Sequence, residues 1–105
     1  VGGWFSDYND PLDFLNVMKT GVYDSYGLYS NSEYDSLIDS LTGENDNAKR
    51  LEIYQKLEDL LVAQDCGVAP LYYSDKHYYY QNWVKDFYTS SFGASQELYR
   101  ASVQK

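Results

Sequence analysis

The chain of 105 residues carries 8 basic and 16 acidic side chains, a formal charge of −8, and 13 tyrosines. That balance, without a run of Lys or Arg, argues against a nucleic-acid or anionic-membrane surface, and no apolar run approaches the ~20 residues of a membrane-spanning helix. Cys66 is the one cysteine, which rules out an internal disulfide and a cysteine metal cage, and the length bounds a single domain, 1–105, with a core of modest size.

Val1 to Ser6 reads as an extended strand leading into Trp4-Phe5-Ser6-Asp7-Tyr8-Asn9-Asp10-Pro11. Asp10-Pro11 is a helix start, an N-cap followed by proline at the first helical position, and Asp13 adds favourable negative charge to the first turn. Asp7, beside Trp4 and Phe5, has two readings. A carboxylate among aromatics suits a ligand ammonium, through a charge-assisted hydrogen bond and cation–π attraction. It equally suits an Asx turn beside core aromatics.

The helix predicted over Pro11 to Lys19 places Phe14, Leu15 and Met18 on one face and stops at Gly21. A Gly/Tyr/Ser loop follows to Tyr29. Ser30-x-x-Glu33 matches a capping box, with Tyr34, Leu37, Ile38 and Leu41 at helical spacing and Thr42-Gly43 as the stop. After a polar turn, a longer helix is predicted from about Ala48 to Ala63, with Leu51, Tyr54, Leu57 or Glu58, and Leu61 inward. Cys66, at its exit, reads as a buried small hydrophobe.

Val68-Ala69-Pro70-Leu71-Tyr72-Tyr73 is predicted as a strand that Pro70 confines to an edge. Lys76 to Gln81 is a second candidate strand, in which Tyr78 and Tyr80 share one side and Tyr79 takes the other. Trp83 to Tyr88 reads as a short strand or turn. The tail, 89–105, is indeterminate, and Ser95 to Gln104 is compatible with a short helix. Leu37, Ile38, Leu41, Leu51, Tyr54, Leu61 and Leu71 are the expected core.

Catalytic constellations are not found. His77 has no partner at metal-binding or general-base spacing. Asp7 and Asp10 resemble a glycosidase pair only in number, because Asp10 is already engaged as a cap. No G-x-S-x-G, phosphate loop or Ser/His/Asp pattern occurs. The expectation is a non-enzyme with no cofactor and no metal.

Four strings nevertheless recur in a familiar order: W-F-S-D-Y-N-D-P, then Tyr29-Ser30-Asn31-Ser32-Glu33-Tyr34-Asp35, then Ala48-Lys49-Arg50 with Tyr54, then Val68-Ala69-Pro70-Leu71-Tyr72-Tyr73. Over about Gly3 to Tyr88 the chain resembles the C-terminal part of the extracellular solute-binding proteins of oligopeptide and dipeptide ABC transporters. Ser32 departs from the family, which usually has proline there.

The resemblance implies an α/β fold, part of one lobe of a two-lobed, type II periplasmic-binding-protein-like architecture. It implies that the chain is a C-terminal-lobe fragment of a longer protein, whereas composition alone fits a small complete one. It further implies peptide transport, with a peptide ligand, the permease subunits of an ABC transporter and the first lobe of its own chain as partners, and no nucleic acid. The location implied is extracellular, periplasmic or lipoprotein-anchored at a bacterial cell surface. Carried over residue by residue, Asp7 would pair with the peptide α-ammonium and the backbone of Phe5 and Ser6 would bond the peptide main chain. Trp4, Phe5, Ser6 and Asp7 are thus the candidate ligand-binding residues. The alternative is a Tyr-rich protein or glycan interaction module with no transport role.

Overall fold

In the computed structural model, which describes residues 2–22, 28–92 and 100–104, the helix predicted at Asp10-Pro11 forms. Pro11 already has helical backbone, with φ −54° and ψ −26°, and one carboxylate oxygen of Asp10 accepts from the Leu12 N–H at 2.9 Å. The regular helix, α1, is Leu12–Leu15, and it tightens into a 3₁₀ turn over Asn16–Met18. The chain then reverses at Gly21, whose φ of 76° suits glycine.

Helix α2 spans Ser32–Ser40, capped by Asn31 and not by Ser30. The Asn31 side-chain oxygen takes the N–H groups of Glu33 and Tyr34 at 2.8 and 3.1 Å, while the Ser30 hydroxyl instead accepts from Thr20 at 3.2 Å. Asparagine competes well for this position, so the helix starts one residue later than the Ser-x-x-Glu pattern suggests. Helix α3 spans Asn47–Glu58 behind an Asp46 cap and widens into a π-helical turn over Asp59–Gln64. The Asp65 N–H donates to the Leu60 carbonyl at 2.9 Å, five residues back, as a π turn requires.

These helices bury one core: Leu15, Val17 and Met18 from the first stretch, Tyr34, Ile38 and Leu41 from α2, and Tyr54, Leu57, Leu60 and Leu61 from α3 and its π turn. Trp4, Leu12, Tyr29, Leu37 and Ile53 pack against it. Tyr34 is fully buried, and its hydroxyl donates to the Leu15 carbonyl at 2.8 Å, so burial leaves no polar group stranded. Tyr29 meets the Tyr34 ring edge-on, at 5.3 Å and 88°. Gly67 lies under Tyr29 so closely that a Cβ there would sit 2.6 Å from the Tyr29 ring and 3.0 Å from Leu61.

Two members of the expected core are not in it. Leu51 is 58% exposed and Leu71 is 71% exposed. The buried stripe of α3 runs one residue earlier than a leucine-led reading suggests, through Tyr54 and Leu57, with Arg50 and Ile53 half-buried along it. Cys66 is exposed, not buried; with φ 49° it turns the chain out of the helix.

The described residues fall in two compact units, one drawn from Val1–Trp4 and Asp10–Leu71, the other from Phe5–Asn9 and Tyr72–Lys105. In the second, β1 (Val84–Lys85) pairs antiparallel with β2 (Ser102–Val103), in the register Val84↔Val103 and Lys85↔Ser102. Neither Gly2 to Ser6, Val68 to Tyr73 nor Lys76 to Gln81 lies in a ladder among the described residues; a strand needs a hydrogen-bonded neighbour, and extended composition does not supply one. The predicted side-chain alternation survives without a ladder. Tyr78 and Tyr80 both contact Phe87, at 6.3 and 5.1 Å between ring centroids, while Tyr79 is 93% exposed. The helix considered over Ser95 to Gln104 gives way to strand β2 at its end, and its residues 95–99 lie outside the described set, as do Val1 and residues 23–27 of the loop.

Candidate functional site

The residues singled out by sequence divide between the two units. Trp4 belongs to the first, where it is half-buried against the helical core. Phe5, Ser6 and Asp7 belong to the second. Phe5 is 65% exposed, and the Lys76 ammonium stands over its ring at 4.9 Å from the centroid. That face of Phe5 is therefore taken by the chain's own cation, in a cation–π contact. The Ser6 hydroxyl donates to the Tyr8 carbonyl at 2.8 Å, folding the segment into a local turn. Asp7 is exposed.

Asp10 is the most heavily engaged carboxylate near this segment, and its neighbours come from far along the chain. One oxygen accepts from the Leu12 N–H and from the Tyr54 hydroxyl at 2.5 Å. The other accepts from Arg50 Nη2 at 2.6 Å, a salt bridge between half-buried groups. Arg50 Nη2 also donates to the Tyr54 oxygen at 2.5 Å, and Nη1 donates to the carbonyls of Leu41 and Glu44 at 3.3 and 3.1 Å. Burial alone would push the Asp10 carboxyl up. The Tyr54 hydroxyl, the Leu12 N–H and the Arg50 guanidinium together outweigh it and hold the group below the usual carboxylate range. Burial, reinforced by the Asp10 carboxylate, pushes the Tyr54 phenol up to about 12.

Sequence reading found Asp10 as a cap and Tyr54 as core, and it missed that Arg50 joins them. A signal existed: Arg50 and Tyr54 are spaced i, i+4 on the buried stripe of α3, and a cation there calls for an acidic partner. A second polar knot ties the loop before α2 to the end of the π turn, where Asp65 accepts from the Tyr29 hydroxyl and from Asn31 at 2.7 Å each. Burial and then the Asp65 hydrogen bond push the Tyr29 phenol up to about 12. No group of His, Cys, Asp or Glu among the described residues is arranged to hold a metal ion.

No protein-family profile matches the chain. It is 33% identical over 82 residues to the periplasmic oligopeptide-binding protein OppA of Salmonella typhimurium, a match covering 78% of this chain and 15% of the relative. It is 34% identical over 70 residues to the probable deoxycholate-binding periplasmic protein YgiS of Escherichia coli, covering 67% of this chain and 13% of that one. In structure it is similar to the substrate-binding domain of an oligopeptide ABC transporter from Bacillus anthracis, with a TM-score of 0.88 and 30% identity over 99% of this chain and 20% of that one. The chain thus spans about an eighth to a fifth of the length of these proteins, and its fold is that of a segment of a type II periplasmic-binding-protein-like structure.

Proposed function

We propose a function on one premise: the chain belongs to the extracellular solute-binding protein family of oligopeptide and dipeptide ABC transporters. It is a segment of the substrate-binding component of a peptide importer, and it contributes one wall of the peptide cleft. The observation that carries this is the match, over 99% of the chain, to the substrate-binding domain of an oligopeptide transporter. The protein works outside the cytoplasmic membrane, as the periplasmic names of its relatives support, and it binds without transforming its ligand. Its partners are a peptide, the permease subunits of the importer and the remainder of its own chain.

Within that wall, Asp7 takes the peptide α-ammonium and the backbone of Phe5 and Ser6 takes the peptide main chain, and Trp4, which packs on the helical core, completes the ligand-binding set. The exposure of Asp7 and Phe5 supports this division of labour. The physical logic is that a fixed charge and main-chain bonds grip what all peptides share, leaving sequence preference weak. A bile-acid-binding relative has no need of an amine anchor, which makes the amine the point to test.

In the full-length protein, Asp7→Ala should weaken binding of peptides with a free N-terminus by ~2–5 kcal/mol, since a buried ligand ammonium would lose its counter-charge. Binding of the same peptides after N-acetylation should hardly change. Calorimetry with both forms decides it: an equal loss for both, or none for either, removes Asp7 from the amine site.

A further inference from the structure

Helix capping explains one of the hydrogen bonds that Asp10 accepts, the one from Leu12. It leaves the others without a purpose. A helix as short as Leu12–Leu15 needs neither an arginine from forty positions along the chain nor a tyrosine from forty-four. What those bonds do is fix Asp10 to three stretches at once: the start of α1, the turn after α2 through the Leu41 and Glu44 carbonyls, and the buried face of α3. Pro11, with φ set by its ring, removes the remaining freedom on the far side.

The segment Phe5–Asn9 leaves the helical unit at Trp4 and rejoins it at Asp10. Trp4 is held by the core and Asp10 by the polar triad, so both roots of the segment are anchored. A short loop with two fixed ends has few conformations to lose on binding. We propose that Arg50 and Tyr54 are positioning residues which, by clamping Asp10, pre-organise the Phe5–Asn9 segment and the Asp7 amine anchor within it. This rests on the peptide-binding reading given above. Neither residue touches the ligand; both act through the backbone that carries Asp7.

The test uses the full-length protein with Tyr54→Phe, which keeps the ring in the core and removes only the hydroxyl, and with Arg50→Met as the stronger lesion. Two readouts are taken well below the unfolding midpoint: the Kd of a free-amine tripeptide and of its N-acetylated form, and backbone amide exchange of residues 5–9 without ligand. If clamping keeps the competent loop dominant, a tenfold fall in its population raises Kd tenfold. The expected result for Tyr54→Phe is therefore about a tenfold weaker Kd for the free-amine peptide and a weaker Kd for the acetylated form as well, because both use the Phe5 and Ser6 backbone of the same segment. Exchange over 5–9 should quicken by a similar factor while the amides of Leu57 and Leu60 stay as protected as in wild type.

A purely structural role would lower the unfolding midpoint and leave both the Kd and the exchange over 5–9 where they were. That result in Tyr54→Phe and in folded Arg50→Met overturns the proposal. Wild-type protein that binds no peptide would refute the assigned function instead, and the exchange measurement would then decide the clamp alone.

Discussion

Replacing Gly67 by alanine adds one methyl group where the packing has no room for it. The new Cβ would lie 2.6 and 2.9 Å from two carbons of the Tyr29 ring and 3.0 Å from a Leu61 methyl. The ring cannot swing aside freely, because its hydroxyl is bonded to Asp65 at 2.7 Å and its edge rests on Tyr34. Overpacking of this kind costs ~1–3 kcal/mol. The backbone of Gly67 is not left-handed, so alanine also gains ~0.4–1 kcal/mol by restricting the unfolded chain. Subtracting the second from the first leaves a net loss of ~0–2.6 kcal/mol. Urea unfolding followed by far-UV circular dichroism should show a lower midpoint at constant slope. In a thermal scan each kcal/mol corresponds to ~4–8 °C for a domain of this size. In a Tyr29→Leu background most of the loss should vanish, because the two sites are in contact and their effects couple. A Gly67→Ala variant more stable than wild type would refute the reasoning, since only the entropic term would then remain.

Leu57→Ala, at a fully buried position, should cost ~2–5 kcal/mol, whereas Leu51→Ala, on the exposed face of α3, should stay within ~0.5 kcal/mol; chemical denaturation of both variants checks the helix face. Stability should also fall on the alkaline side. Tyr54 and Tyr29 have phenols raised from 10.0 to about 12, so folding holds them protonated. Their contribution is complete below pH 10 and is lost as pH rises from 10 to 12. A series of urea midpoints across that window should decline, and Tyr54→Phe should decline less. On the acid side, the Asp10 carboxyl sits below its ordinary 3.8. Its contribution is present above that pH and disappears as pH falls through the lower folded value; Asp10→Asn should flatten that limb of the same series.

What could be read from sequence depended on how local the cause was. The Asp10-Pro11 start and the helical spacing of Tyr34, Ile38 and Leu41 are settled by neighbours within a turn or two, and the structure has them. Leu51 falls outside the core because a period of 3.6 leaves the phase of the stripe open. The structure puts the Arg50 stem on the stripe and lets its head find Asp10. Val68 to Tyr73 has strand composition, but pairing is a property of two segments. Of the candidate site, Trp4 to Asp7 are assigned by resemblance alone. The triad of Asp10, Arg50 and Tyr54 is legible only in part: the i, i+4 spacing of Arg50 and Tyr54 calls for an acidic partner, but nothing local says that it is Asp10, forty places back.

The hydrogen bond from Tyr34 to the Leu15 carbonyl makes the first helix depend on the second. Alone, α1 is far below the length at which an isolated helix persists in water. Its last residue, Leu15, finds a hydroxyl for its carbonyl only when α2 has docked. The first helix in the chain is thus a dependent one. It gains its partners from α2 and α3 together, and the segment that precedes it has its downstream root at Asp10 fixed only when α3, which carries Arg50 and Tyr54, is in place.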